Sequence, residues 1–364
     1  MKPAAVRTVR RRPRHVIWEI TAACNMRCVH CEASAGPRRA DELTTDEALL
    51  LCDALAEAGA DQCNVSGGEP LLRRDWSQIC ARLASHGLRV TLVTNGTLFD
   101  DSVAHTAREA GVGAVALSLD GLRDTHDRIR PSRAAGASSF RDVIQAIGAV
   151  QKVGLVPAVI THVNRWNFGE IESLHELIRQ LGVDYWQVQL GLPLGRQREI
   201  ETPYMISPQQ LAELAQRLAD IIRRGRSPRI RVTDTIGYYT RLEPVLRGGR
   251  RSNAFWSGCY AGILSVGIDS NGDVKGCSCL TREFVAGNVR ERPFKEIWAD
   301  ESKFAYNTDW HEDKLTGFCA TCPYRRVCRA GCTSLAVSVT GSIYENPYCL
   351  HRVEMLAKAE RNAT

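Results

Sequence analysis

The chain has 364 residues, 44% of them hydrophobic and 24% charged, with a formal net charge of +6 and 14 cysteines. This ordinary soluble composition has room for two domains or for one large domain with an appendage, and it offers no apolar run long enough to span a membrane. Lys2, Arg7, Arg10, Arg11, Arg12 and Arg14 by themselves equal the net charge, so the remainder is neutral and a basic nucleic-acid-binding body is excluded.

Residues 1–15 read as a short solvated tail. A twin-arginine export signal at Arg10-Arg11-Arg12 fails, because Pro13, Arg14 and Glu19 interrupt the apolar stretch that would have to follow. The expected location is the cytoplasm, where reducing pools keep thiols free and so many cysteines read as metal ligands rather than disulfides. Their distribution agrees. Cys24, Cys28 and Cys31 share one loop, eight lie from Cys259 to Cys349, and Cys52, Cys63 and Cys80 sit in apolar segments as small core residues.

A predicted strand at 16–20 runs into Thr21-Ala-Ala-Cys-Asn-Met-Arg-Cys-Val-His-Cys-Glu32, a CxxxCxxC spacing. A cube of four irons takes one thiolate per iron, so three cysteines in a tight loop leave one iron open to chemistry. The alternatives are a redox CxxC or a zinc knuckle with His30 as fourth ligand. However, zinc sites pair two ligand hooks, and His30 is wedged between two of the cysteines. The loop resembles the signature of the radical S-adenosylmethionine (SAM) enzymes, although His30 and Glu32 stand where an aromatic residue often flanks the third cysteine. The resemblance implies a SAM-binding 4Fe-4S cluster that reductively cleaves SAM to a deoxyadenosyl radical.

Strands are then expected at 62–66, 89–94, 114–119, 156–163 and 185–190, and helices at 45–58, 76–85, 101–110, 140–153 and 168–181. Six strand-helix units with buried-type strands imply an α/β fold with a parallel sheet. They fall short of the eight of a closed barrel, leaving an open side for a bulky substrate. The radical SAM core has this same partial (β/α)6 TIM-like form. Motifs fall at the carboxyl ends of the strands: Ser66-Gly67-Gly68-Glu69-Pro70, Thr94-Asn95-Gly96, and Ser118-Leu119-Asp120-Gly121 followed by His126 and Arg130. The paired glycines permit close backbone approach. By the resemblance, Gly67, Gly68 and Glu69 match the motif receiving the SAM amino group, with Thr94 and Asn95 at the next strand end. Ser118 matches a ribose-contacting serine, and Arg130 the clamp on the SAM carboxylate. For Asp120 two readings stay open, a SAM contact and a helix cap.

After a helix at 208–224, the polar stretch 226–253 bridges to a second region, with 234–240 expected to face the barrel opening. Short strands at 263–268 and 274–277 flank the turn Ser270-Asn271-Gly272, presenting Cys277 and Cys279 near Cys259. Cys319, Cys322, Cys328, Cys332 and Cys349 follow in a loop-rich segment poor in apolar residues, where clusters substitute for a core. A zinc ribbon fits poorly, since eight thiolates with one Cys-x2-Cys hook do not make two zinc sites. The pattern matches the SPASM domain that follows the radical SAM core in peptide-modifying enzymes. It implies that Cys319, Cys322, Cys328 and Cys349 hold an outer auxiliary cluster, and that Cys259, Cys277 and Cys332 hold an inner one. Cys279 completes the inner set only if the strand bends, because neighbours two apart on an extended strand face opposite sides; otherwise that cluster has an open iron.

The expected domains are a tail at 1–15, a radical SAM core at 16–225, a bridge at 226–258 and a SPASM domain at 259–364. The expected activity is oxidation of a substrate after hydrogen-atom abstraction, with three 4Fe-4S clusters, SAM, and an external electron donor such as a flavodoxin or ferredoxin. A general base assists, with no residue assigned to it. The first substrate expectation is crosslinking or dehydrogenation of a ribosomal peptide. The second is dehydrogenation or epimerisation of a small natural product such as an aminocyclitol or sugar, since only 23 residues precede Cys24 and leave no room for a leader-peptide domain. A zinc or electron-transfer protein without catalysis is the third reading. No nucleic acid and no membrane are expected as partners.

Overall fold

The computed structural model describes residues 11–132, 136–200, 204–225, 227–248 and 254–363. Its strands are β1 (His15–Glu19), β2 (Gln62–Ser66), β3 (Arg89–Thr94), β4 (Val112–Ser118), β5 (Val156–Val163), β6 (Tyr185–Leu190), β7 (Arg229–Val232), β8 (Ser265–Ile268), β9 (Asp273–Lys275) and β10 (Gly287–Asn288). Local chemistry sets the helix ends. Thr44 and Glu47 form a capping box before the helix Thr45–Glu57. Ser207 and Gln210 form another before Pro208–Arg224, which Gly225 ends in the left-handed conformation at φ 67°.

The chain divides into two compact units. The first, Val9–Ile160 with Tyr260–Asp309, carries a mostly parallel sheet. In it β1, β2, β3, β4 and the start of β5 are parallel neighbours. The sheet extends on the other side of β1 through β8, parallel, and then antiparallel β9 and β10. Alternate strand residues such as Val16, Trp18, Cys63, Val65, Val90 and Leu92 are buried, together with Leu51, Leu55, Ile79 and Leu83 from the covering helices. The parallel β1–β8 pair was not anticipated. It attaches the strand following Cys259 directly to the strand that feeds the first cysteine loop.

The second unit, Thr161–Cys259 with Trp310–Thr364, pairs β6 with β7 in parallel and buries Tyr238, Tyr239, Trp256 and Cys328 together. The described residues add detail to the expected bridge and tail. The stretch 226–253 is not merely a bridge, since it contains β7 and the helix Glu243–Gly248. Tyr238 and Tyr239 pack as core residues, 0% and 8% exposed. The described part of the basic tail is tied to the fold: the exposed Arg12 and Arg14 pair with Asp61, while Arg11 lies 4.6 Å from the rings of both Trp298 and Phe304. Lys2, Arg7 and Arg10 lie outside the described residues. Among the described residues no helix is long and apolar enough to cross a membrane.

Candidate functional site

The first cysteine loop leaves β1 and folds back on itself, with the Cys24 N–H donating to Gly36 O at 2.8 Å and the Gly36 N–H to Ala22 O at 3.0 Å. Buried Glu42 pins its entrance by accepting from the Thr21 hydroxyl at 3.0 Å and the Ala22 N–H at 2.7 Å. Backbone amides point at two of the thiols: Met26 N–H at Cys24 Sγ (3.4 Å) and Ala35 N–H at Cys31 Sγ (3.3 Å). Burial raises the Cys24 thiol and pushes Cys28 up to about 11. These thiols stay protonated at neutral pH, and only a bound cation such as iron would displace their protons.

Gly67 and Gly68 have a reason that the sequence alone did not reveal. A Cβ on Gly68 would lie 2.5 Å from Ala23 O and 2.7 Å from Ala22 O, and one on Gly67 would lie 2.7 Å from Thr21 O. The pair therefore lets the β2 end press against the backbone of the cysteine loop, where Gly68 N–H donates to Thr21 O and Glu69 N–H to Ala23 O. Glu69, fully buried, accepts from the Thr94 hydroxyl at 2.8 Å and the Asn95 N–H at 2.8 Å. Asn95 in turn donates to Asn25 Oδ1 at 2.9 Å, and Asn25 to the Thr97 hydroxyl at 2.7 Å. The ends of β2 and β3 and the cysteine loop thus form one hydrogen-bonded unit. Asn25, Thr97 and Glu42 were missed, although Asn25 and Thr97 each stand beside a motif that was noticed.

Burial raises the Glu69 carboxyl from its ordinary 4.5 to about 7. Its neutral form is favoured in the fold, so its contribution to stability is complete below pH 4.5 and is lost as the pH rises through 7. At about 1.4 kcal/mol per unit this amounts to roughly 3 kcal/mol. In denaturant titrations of the metal-free protein, the stability of the parent relative to Glu69→Gln is expected to fall by about that much from pH 4.5 to 8. Parallel pH profiles would show that Glu69 is already ionised in the fold.

Ser118 and Asp120 are both buried at the end of β4. Asp120 does not stand at the N-cap of the helix Arg123–Ile129, a position that Leu122 occupies. Instead Asp120 accepts from Arg130 Nε at 2.5 Å, and its own N–H donates to His126 Nδ1 at 3.1 Å. Burial pushes His126 down to about 4, so it is neutral at pH 7. The other prongs of Arg130 lie 3.1 Å from His30 Nε2 and 3.9 Å from Cys28 Sγ. Arg130 is thereby aimed at the cysteine loop, while Arg128 is exposed.

In the same unit, strand β9 stops at Lys275, and Leu280 N–H donates to Cys277 O at 3.1 Å, making a turn. The expected strand at 274–277 is therefore too long. The turn places the Cys277 and Cys279 thiols close enough to bear on each other's ionisation, with the Glu32 carboxyl near enough to add to the effect. The neighbouring Cys279 thiol lowers Cys277, and Cys277 together with burial raises Cys279.

In the second unit, Cys319, Cys322, Cys328 and Cys349 line one cavity together with Tyr238, Phe318, Arg325, Ala330, Gly331 and Asn346. Between Cys328 and Cys332 the backbone runs through three successive left-handed residues, Arg329 (φ 56°), Ala330 (58°) and Gly331 (74°). The Cys332 N–H donates to the Tyr238 hydroxyl at 3.0 Å, and Trp256 Nε1 donates to Cys328 O at 3.0 Å. Strain of this kind persists only where surrounding contacts enforce it. Cys259 packs against the same aromatic cluster. The residues of the inner set thus fall in different units, Cys259 and Cys332 in this one and Cys277 and Cys279 in the other. Among the described residues no three His, Cys, Asp or Glu side chains converge tightly enough to hold a single metal ion. Four thiols spread around a cavity suit a four-iron cube, whereas zinc draws its thiolates to about 2.3 Å from one point.

Residues 18–178 match the Radical SAM superfamily, and residues 259–323 match SPASM, an iron-sulfur cluster-binding domain. The AdoMet-dependent heme synthase of Methanosarcina barkeri is 34% identical over 93% of this chain and 97% of its own length. The chain belongs to the radical SAM superfamily and carries a SPASM domain. It is an enzyme of that family, and the two matched domains imply iron-sulfur clusters and SAM binding. The mycofactocin maturase MftC of Mycobacterium ulcerans is 30% identical over 91% of this chain and 85% of its own length. Native anSMEcpe with bound AdoMet and Cp18Cys peptide shares the fold, with a TM-score of 0.72 at 19% identity over 97% of this chain and 100% of that one. The radical SAM fold with a partial TIM-like barrel is therefore that of the present chain.

Proposed function

We propose that this enzyme oxidises its substrate by two electrons after a SAM-derived radical has removed a hydrogen atom, and that Cys24, Cys28 and Cys31 hold the cluster at which SAM binds. When bound, that cluster supplies the electron that splits SAM and the open iron that positions it. The chain's own residues do the rest. Arg130, braced by Asp120, holds the SAM carboxylate; the β2 end at Gly67 and Gly68 receives the amino group; Thr94, Asn95 and Ser118 line the neighbouring strand ends. The carrying observation is the single hydrogen-bonded unit that joins the cysteine loop to Glu69, Thr94 and Asn95. Cys319, Cys322, Cys328 and Cys349 would hold the outer auxiliary centre, which would supply an acceptor for the electron left on the substrate. Three 4Fe-4S clusters and an external electron donor complete the scheme, in the reducing cytoplasm.

Two substrate classes are supported by relatives. A tetrapyrrole is favoured, because the relative matched over 97% of its length at 34% identity is named a heme synthase. Crosslinking or dehydrogenation of a ribosomal peptide is the second reading, supported by the maturase at 30% identity. Anaerobically reconstituted enzyme, given SAM and reductant with either an iron tetrapyrrole bearing ring carboxylates or the maturase's precursor peptide, is expected to form 5′-deoxyadenosine and a mass-shifted product with the tetrapyrrole. Product from the peptide alone would reverse the order.

We assign Cys279, beside Cys277, as a ligand of the inner auxiliary centre, because the turn after β9 places the two cysteines next to one another. Cys279→Ala is expected to lose iron or shift one auxiliary-cluster signal. Cys52→Ala should do neither, since that buried thiol faces Ile79 O at 3.8 Å. An unchanged spectrum in Cys279→Ala would leave that centre with an open iron.

A further inference from the structure

Asn346, only 1% exposed, lines the cavity formed by Cys319, Cys322, Cys328 and Cys349. Its orientation is fixed by the chain itself: Oδ1 accepts from the Tyr348 N–H at 2.9 Å, which assigns the opposite side of the amide to Nδ2. Nδ2 has no hydrogen-bond partner among the described residues. The space before it is kept clear by Gly331, at φ 74°, where a Cβ would lie 2.8 Å from Asn346 Nδ2 and 2.7 Å from Tyr238 Cζ. A buried amide donor held in one direction, with a glycine preserving the room ahead of it, requires an acceptor that arrives later. In this cavity the acceptor with matching chemistry is an inorganic sulfide or thiolate of the cluster.

We propose that Asn346 donates a hydrogen bond from Nδ2 to the outer auxiliary cluster and raises its reduction potential. The proposal rests on the reading of the four cysteines as that cluster's ligands. Hydrogen bonds to cluster sulfurs favour the more negative, reduced state, and are one of the protein's means of setting the potential. Asn346 would therefore make the outer cluster a better acceptor for the electron that leaves the substrate.

The test is a redox titration of the reconstituted full-length enzyme followed by electron paramagnetic resonance, with the outer signal identified as the one lost in Cys322→Ala. In Asn346→Ala the reduced-to-oxidised ratio of that signal at a fixed potential is expected to fall about tenfold, equivalent to about 59 mV for one electron. Iron content and the SAM-site signal should be unchanged. Pulsed measurements on the unsubstituted enzyme, with asparagine carrying nitrogen-15 only in its side-chain amide, are expected to show coupling to the same signal. An unchanged potential at full iron content would overturn the proposal, as would absence of that coupling, which decides the matter even if Asn346→Ala loses the cluster. If Cys322→Ala leaves every signal and all the iron in place, the ligand set itself is wrong and the asparagine's role falls with it. A failure confined to Asn346 leaves the Cys322→Ala response intact.

Discussion

The protein in which Cys24, Cys28 and Cys31 are all replaced by Ala is expected to form no 5′-deoxyadenosine while keeping about eight of the roughly twelve irons of the reconstituted parent, four per cluster. The separation follows from where the thiols sit. All three belong to one loop between Ala22 and Gly36, with its own backbone clasp, and the four outer-set cysteines line a cavity in the other compact unit. Removing the loop's thiols does not cut a hydrogen bond of the sheet, so the fold should survive. The measurements are iron and sulfide content, and chromatography of the nucleoside products after incubation with SAM and dithionite. Cleavage of SAM by the triple variant would remove the central assignment.

Arg130→Lys is expected to weaken SAM binding by tenfold or more, with iron content intact. A bidentate guanidinium-carboxylate contact in a partly closed site is worth about 1.5 to 3 kcal/mol, and each 1.4 kcal/mol is a factor of about ten. Arg130 is suited to the role because Asp120 takes Nε at 2.5 Å, while the remaining prongs are directed toward His30 and Cys28. A lysine can keep the ion pair with Asp120 or reach a ligand, but it lacks the planar fork to do both. Arg128, exposed on the same short helix, is the control. Equal losses of SAM affinity in Arg128→Lys and Arg130→Lys would identify only a basic surface, and the clamp would have to be another residue.

What the sequence determined by itself is the chemistry carried by short spacings. CxxxCxxC after a strand, the Gly-Gly-Glu turn after the next one, and the Cys319 to Cys332 series are local patterns, and strand-helix periodicity placed β2, β3, β5 and β6 at their observed bounds because apolar alternation is itself local. Tertiary structure decided the rest. The pairing of β1 with β8 joins residues some 250 positions apart, and no propensity in either segment specifies it. Strand β7 escaped notice because its alternation, Arg229-Ile-Arg-Val232, lasts only four residues and becomes a strand by pairing with β6. Gly67 and Gly68 were legible as a turn, but the carbonyls of Thr21, Ala22 and Ala23 that exclude a Cβ there were not. The roles of Asp120, Arg11 and Asn346 likewise belong to the fold. Each is a polar side chain whose meaning depends on the partner that burial brings to it: Arg130 for the first, two aromatic rings for the second, and for the third a cavity walled by four cysteines.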